Sequence, residues 1–270
     1  MTGVLWSGTG IGMLIVSPAA NWLIYTRSWQ TSYLILGGII LVVVILAAQF
    51  LRRDPSRAGQ LPYGEYQTDG HKQTDASAFT LQEATHTRQF WLLIIMFICF
   101  GFCVFAVTVH VVPSAIERDI SAASSANILA ILGGVRILGG LALGNIADRI
   151  GNRRALIIGL VLMAVALFWL VPASEFWAFS LFAVVFALGY GGTSAAQSPL
   201  VAQLFGLKSH GVLYGFCGLS YTIGGALGPF ITGYLFDVTQ SYPLAFLVSA
   251  VVGIIGILSI AIIKPLKKVP

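Results

Sequence analysis

The sequence predicts an all-α membrane protein, a helical bundle with eight transmembrane helices, and three observations predict it. Hydrophobic residues make up 57% of the 270-residue chain and charged residues only 9%, where a soluble globular domain carries about 25% charged. Mean hydropathy is +0.88. Apolar runs long enough to cross about 30 Å of hydrocarbon, roughly 20 residues at helical rise, recur eight times. The runs are continuous rather than alternating, which excludes barrel strands, and a backbone in lipid must satisfy its own hydrogen bonds, which leaves helices.

In chain order the spans are Val4 to Thr26, Thr31 to Leu51, Phe90 to Val112, Ala122 to Ile146, Ala155 to Pro172, Phe176 to Phe205, Gly211 to Phe236 and Pro243 to Ile263. The first is no secretory signal: no basic region precedes it and no small-residue cleavage site follows.

Basic residues set the orientation. Arg27 and Arg118 lie on one side of the membrane and Arg136 lies within a span, while the other twelve Lys and Arg residues fall on the opposite side or in the tail. By the positive-inside rule both termini are cytoplasmic, in a multi-pass protein of the cell (inner or plasma) membrane. The net charge of +5 belongs to short loops facing anionic lipid, so the bilayer is a partner and nucleic acid is not.

The polar segment from Arg52 to Gln89 reads as a flexible cytoplasmic linker. It divides residues 1–51, the last two helices of one bundle, from residues 90–270, a six-helix bundle. The first span and its exit, "GIGMLIVSPAANWLIYTRSWQTSY", echo the seventh, "YTIGGALGPFITGYLFDVTQSYPLAF". Pro18 aligns with Pro229, 211 residues on, and Trp29 and Tyr33 align with Tyr242 and Phe246. Repeated halves are a hallmark of secondary transporters. Four helices that would complete the first half are not in the sequence, so the chain is expected to be an N-terminal truncation of a twelve-helix protein, and those missing helices are among its partners.

The segment "GNIADRIGNRR", Gly144 to Arg154, puts Asp148 at the membrane edge among Arg149, Arg153 and Arg154. Gly144 is expected to let one helix approach another, and Gly151 to permit the tight turn. Such a segment can act as a gate that locks on helix ends, or as a topogenic anchor. Gly8 with Gly12, Gly140 with Gly144, Gly211 with Gly215 and Gly224 with Gly228 each set two small residues one turn apart, spacing suited to close helix contact. Pro18 and Pro229 remove backbone hydrogen bonds and are candidate hinges.

These residues resemble the major facilitator superfamily. "GNIADRIGNRR" resembles its loop signature between the eighth and ninth helices, "GGALGPFITGYLFD" its eleventh helix, and "GTGIGMLIVSPAANWLIYTRSWQTSYLILG" its fifth helix and the start of the sixth. "LRRDPSRAGQLPYGE" and "HVVPSAIERDIS" are similar to the branch holding monocarboxylate transporters and oxalate/formate antiporters. The resemblance covers the whole chain and implies eight helices present of twelve, two bundles rocking about a central site, and a gating role for the signature segment.

One arginine stands inside the apolar stretch "ILGGVRILGGLAL". A charge at mid-membrane costs at least about 2.5 to 3.5 kcal/mol, so Arg136 should face a wet cavity or a partner. The ten acidic residues all lie in loops or at helix ends. A passing anion suits a guanidinium, whose fork binds a carboxylate through two parallel hydrogen bonds. The alternatives are an acid on the missing helices or backbone carbonyls. The resemblance implies the first, because that branch carries a substrate-binding arginine on its eighth helix. Two positions depart from it: Gly211 to Phe236 lacks the second basic residue of oxalate-type antiporters, and Leu132 stands where animal-type monocarboxylate carriers have an aspartate.

Tyr190, Gln197, Tyr214 and Tyr221 also fall near mid-span and are candidates to hold the rest of the anion, with interhelical hydrogen bonds as the alternative role. His110 is a candidate for proton coupling or simply a helix cap. Cys99, Cys103 and Cys217 have no ligand set around them and read as packing residues. No catalytic, cofactor or metal motif is found, which points away from an enzyme. The expected function is secondary transport of small organic anions, monocarboxylates first, as proton symporter or antiporter by alternating access. The alternatives are a different small solute, or a non-transporting receptor or assembly subunit on the same fold.

Overall fold

A computed structural model describes residues 2–50, 79–207 and 209–263. Among these residues the structure is helical, with no strand. The helices are α1 (Thr2–Thr26), α2 (Trp29–Phe50), α3 (Leu81–Thr85), α4 (Arg88–Glu117), α5 (Ala122–Ile150), α6 (Asn152–Leu170), α7 (Phe176–Phe205), α8 (His210–Thr239) and α9 (Pro243–Ile262). By length and composition six of them are apolar enough to cross a membrane, namely α2, α4, α5, α6, α7 and α9. The two others on sequence grounds, α1 and α8, have the length, at 25 and 30 residues, but are diluted with glycine, serine and threonine.

Three boundaries differ from expectation. α4 runs through Pro113 to Glu117 instead of stopping at Val112, and α7 likewise contains Pro199. A proline removes one hydrogen bond and is tolerated where neighbouring helices surround it. The signature segment is not a loop: Gly144 to Ile150 complete α5, Gly151 alone breaks the helix at φ 92°, and Asn152 begins α6. Most of the expected flexible linker, residues 52–78, lies outside the described residues, but its end is structured. Thr80 and Glu83 form a reciprocal capping box over α3, Phe79 donates its N–H to the Phe205 carbonyl, and Thr87 caps α4 by accepting from Phe90.

The chain divides into two compact units, Met1–Pro18 with Ser77–Pro270, and Ala19–Ala76. In the second unit the side chains of α2 are almost all apolar and exposed, including Leu41 through Leu46, a surface suited to lipid. In the first unit α4 packs on α8 and α9, while α7 packs on α5 and α6. The core between them is built from Phe97, Phe100, Phe182 and Phe186 with Leu and Met side chains.

Glycines set the closest contacts, at positions the spacing pattern only partly identifies. A Cβ on Gly224 or Gly228 would overlap the carbonyl of Ile98 or Phe102, and one on Gly101 the carbonyl of Tyr221, so α4 and α8 touch backbone to backbone. Of the other expected pairs, only Gly140 sits at such a contact, its nitrogen 2.6 Å from where a Cβ on Gly191 would lie. Gly8, Gly12, Gly211 and Gly215 have nothing within 4 Å of the Cβ position, and at Gly144 a Cβ would make ordinary contact with Ala195 at 3.7 Å. The residues that bring α5 and α7 together are instead Gly139, Gly191 and Gly192.

Candidate functional site

Arg136 lies on α5 with 4% of its surface exposed, and its guanidinium carbon stands 3.7 Å from the centroid of the Tyr190 ring on α7. The approach depends on small residues. A Cβ on Gly191 would overlap the Arg136 carbonyl, and one on Gly139 would come within 2.5 Å of the Leu188 carbonyl oxygen. Tyr190 holds its place between Phe100 and Phe186, with ring centroids at 5.7 and 6.4 Å.

Beside the guanidinium is a cavity of about 130 Å³, small against the roughly 300 to 1,000 Å³ of drug-sized sites. Four of the five residues singled out in the sequence line it: Arg136, Gln197, Tyr214 and Tyr221. The fifth, Tyr190, lies against the arginine. Gln197 is 4% exposed, and its Nε2 is buried without a hydrogen-bond partner among the described residues. An interhelical hydrogen bond through that nitrogen, the alternative role, is therefore not made.

The sequence did not single out Phe97, Phe100, Ser194 and Gly218, which complete the wall. In an apolar α4 the two phenylalanines read as ordinary core; their only signal is a spacing of three residues on one face. His210 was missed too. Its ring stacks on Tyr214 at 5.7 Å and 14°, and its Nε2 stands 3.2 Å from Ser198 Oγ.

The remaining candidates lie elsewhere. Arg153 docks on the end of α9, where Nε donates to the Ile260 carbonyl at 3.2 Å and Nη2 to that of Ala261. Among the described residues the Ile260 carbonyl otherwise takes only a long 3.3 Å bond from the Ile263 N–H, and the negative end of the helix dipole favours a cation there. Asp148, Arg149 and Arg154 flank Gly151 on the adjoining helix ends. Pro18 and Pro229 lie inside α1 and α8. His110 is not in the cavity: its Nε2 is 3.0 Å from the Pro229 carbonyl oxygen and its Nδ1 3.5 Å from the Tyr242 hydroxyl. Cys99, Cys103 and Cys217 are buried free thiols, and no group of ligands able to hold a metal occurs among the described residues.

The model of the Major Facilitator Superfamily matches residues 1–146 and 111–270. The chain belongs to that superfamily. It is thus a multi-pass membrane transporter-family protein and not an enzyme. Among curated relatives of this superfamily member, Monocarboxylate transporter 12 of Rattus norvegicus is 28% identical over 91% of the chain and 55% of its own length. The probable sulfoacetate transporter SauU of Cupriavidus necator is 26% identical over 99% of the chain and 65% of its own. The chain spans about half to two thirds of the length of these relatives. Among solved structures, the E. coli fucose:proton symporter FucP aligns over 87% of the chain and 55% of its own, with a TM-score of 0.58 and 17% identity, which establishes the shared fold.

Proposed function

We propose that the protein is a secondary transporter of small organic anions, monocarboxylates foremost, that works by alternating access with Arg136 as the anion anchor. The observation that carries this reading is a buried guanidinium beside a small cavity whose wall also holds an amide nitrogen with no hydrogen-bond partner among the described residues. A carboxylate suits both groups: two oxygens fit the arginine fork, and a further lone pair can accept from Gln197. Tyr214 and Tyr221 offer hydroxyls and ring faces to the rest of the molecule. The names of the two relatives, a monocarboxylate and a sulfoacetate transporter, are those of carboxylate carriers.

In the transport cycle, the bundle of residues 90–270 rocks against the one that includes residues 1–51, flexing at Pro18 and Pro229, with both termini cytoplasmic. The Gly144 to Arg154 segment is the gate, and the Arg153 tie to the end of α9 is a contact it makes and breaks.

The test is uptake of radiolabelled pyruvate into proteoliposomes containing the full-length protein. Arg136→Gln abolishes uptake while leaving the protein monodisperse; unchanged uptake overturns the anchor.

A further inference from the structure

His110 lies ten residues past Phe100 on α4, about 15 Å of helical rise from the anion cavity. It joins three elements: its own helix, Pro229 of α8, and Tyr242 in the connection between α8 and α9. A carbonyl only accepts, so the hydrogen shared with Pro229 sits on Nε2 and leaves the Nδ1 lone pair facing Tyr242. Pro229 has no N–H of its own, so the Gly225 carbonyl lacks its usual helical donor, and α8 is held by one bond fewer at this turn.

Burial, with Glu117 and Asp237 in electrostatic reach, raises the Tyr242 hydroxyl above the usual tyrosine range, so it stays protonated. Other ionisable groups towards this end of the unit include Arg118, whose guanidinium donates to the Ala173 carbonyl, Asp119 and Glu175 in the connections, and Tyr234 on α8. The adjacent stretches of α5, α6, α7 and α9, residues 122–135, 162–170, 176–189 and 243–252, contain none.

We infer that His110 is a proton-binding site whose charge sets how firmly α4 holds α8 at Pro229. A proton taken from solution onto Nδ1 makes both ring nitrogens donors. Nδ1–H then donates to the Tyr242 oxygen, whose own O–H turns away from the ring, and Nε2–H to the Pro229 carbonyl becomes charge-assisted, about twice as strong as a neutral bond. Loss of the proton restores the weaker tie and lets α8 move at its proline. Coupling of this switch to anion movement rests on the transporter reading above; the switch itself does not.

Hydrogen–deuterium exchange of the purified protein in detergent micelles tests it, at pH 5.5 and 7.5 with chemical exchange corrected, across the window where imidazoles change charge. Amides of residues 230–235 become about tenfold more protected at the lower pH, the gain expected when a neutral hydrogen bond becomes charge-assisted. His110→Asn and His110→Gln abolish that difference. Tyr242→Phe keeps the imidazole and retains a response with a displaced midpoint. A wild-type protein with no pH response in this segment, or a His110 variant that keeps it, overturns the switch. Arg136→Gln retains the response even where it abolishes uptake, so failure of the anion site and failure of the switch are read separately.

Discussion

The Arg136 guanidinium lies over the face of the Tyr190 ring, 3.7 Å from its centroid, on two helices packed backbone to backbone. A ring below the plane attracts the cation through its quadrupole, up to about 2 kcal/mol when water is excluded. Face contact uses none of the N–H donors, which radiate in the guanidinium plane, so one residue can be held by the ring and still present its fork to an anion.

Different losses follow for the two residues. Arg136→Lys keeps the charge but loses the fork and should weaken pyruvate binding at least tenfold. Tyr190→Phe keeps the ring face and should bind within about threefold of wild type, whereas Tyr190→Leu should lose about tenfold. Scintillation proximity binding on the purified protein measures all three. Weakening by the Phe variant equal to that of the Leu variant would assign the role to the hydroxyl instead of the ring.

Glycine substitutions should separate into two classes that spacing alone does not distinguish. Gly224→Ala and Gly191→Ala drive a methyl into a neighbouring helix backbone, and overpacking of this kind costs about 1 to 3 kcal/mol or more. Gly211→Ala and Gly215→Ala meet open space and should be neutral, or stabilising by up to about 1 kcal/mol from the gain in helix propensity. Thermal unfolding followed by intrinsic fluorescence should show a lowered midpoint for the first pair and an equal or raised one for the second.

That division marks how much was legible in the sequence. Hydropathy placed α7 at Phe176 to Phe205, the bounds found in the structure, because lipid demands a continuous apolar helix. The arginine and three polar partners of its cavity stood out because polar groups are costly at that depth. Phe97 and Phe100 did not, since an aromatic residue on a cavity wall and one in a core are the same letter. Helix packing was legible as a glycine content but not as an address: which face of α5 meets α7 depends on helix rotation, and so Gly139 and Gly191 were missed while Gly144 was overvalued. The apolar run ends at Val112, but α4 continues through Pro113, because surrounding helices tolerate a proline that an isolated helix would not.

Arg153→Ala should loosen the end of α9. It removes two hydrogen bonds to the last-turn carbonyls of Ile260 and Ala261, the first of which otherwise has, among the described residues, only a long 3.3 Å bond from the Ile263 N–H. Arg153→Lys keeps the charge near the helix end but not the two-point geometry, and should fall between. Hydrogen exchange of residues 258–263 is the measurement, with faster exchange expected in the order Ala, Lys, wild type. Equal protection in all three would mean that the contact holds nothing.

Gln197→Leu should move stability and binding in opposite directions. The buried Nε2 has no hydrogen-bond partner among the described residues, and an unsatisfied buried polar group costs about 1 to 3 kcal/mol. Leucine is similar in size and carries no donor, so the ligand-free protein should gain stability and unfold a few degrees higher. The same change takes away a donor that an anion beside Arg136 would use, so pyruvate affinity should fall about tenfold and ligand-induced stabilisation should shrink with it. A core residue that merely packs cannot give this pair of signs: its replacement by leucine would leave binding alone. Thermal unfolding with and without pyruvate reads both quantities in one titration, and a Leu variant that is less stable yet binds normally would remove Gln197 from the site.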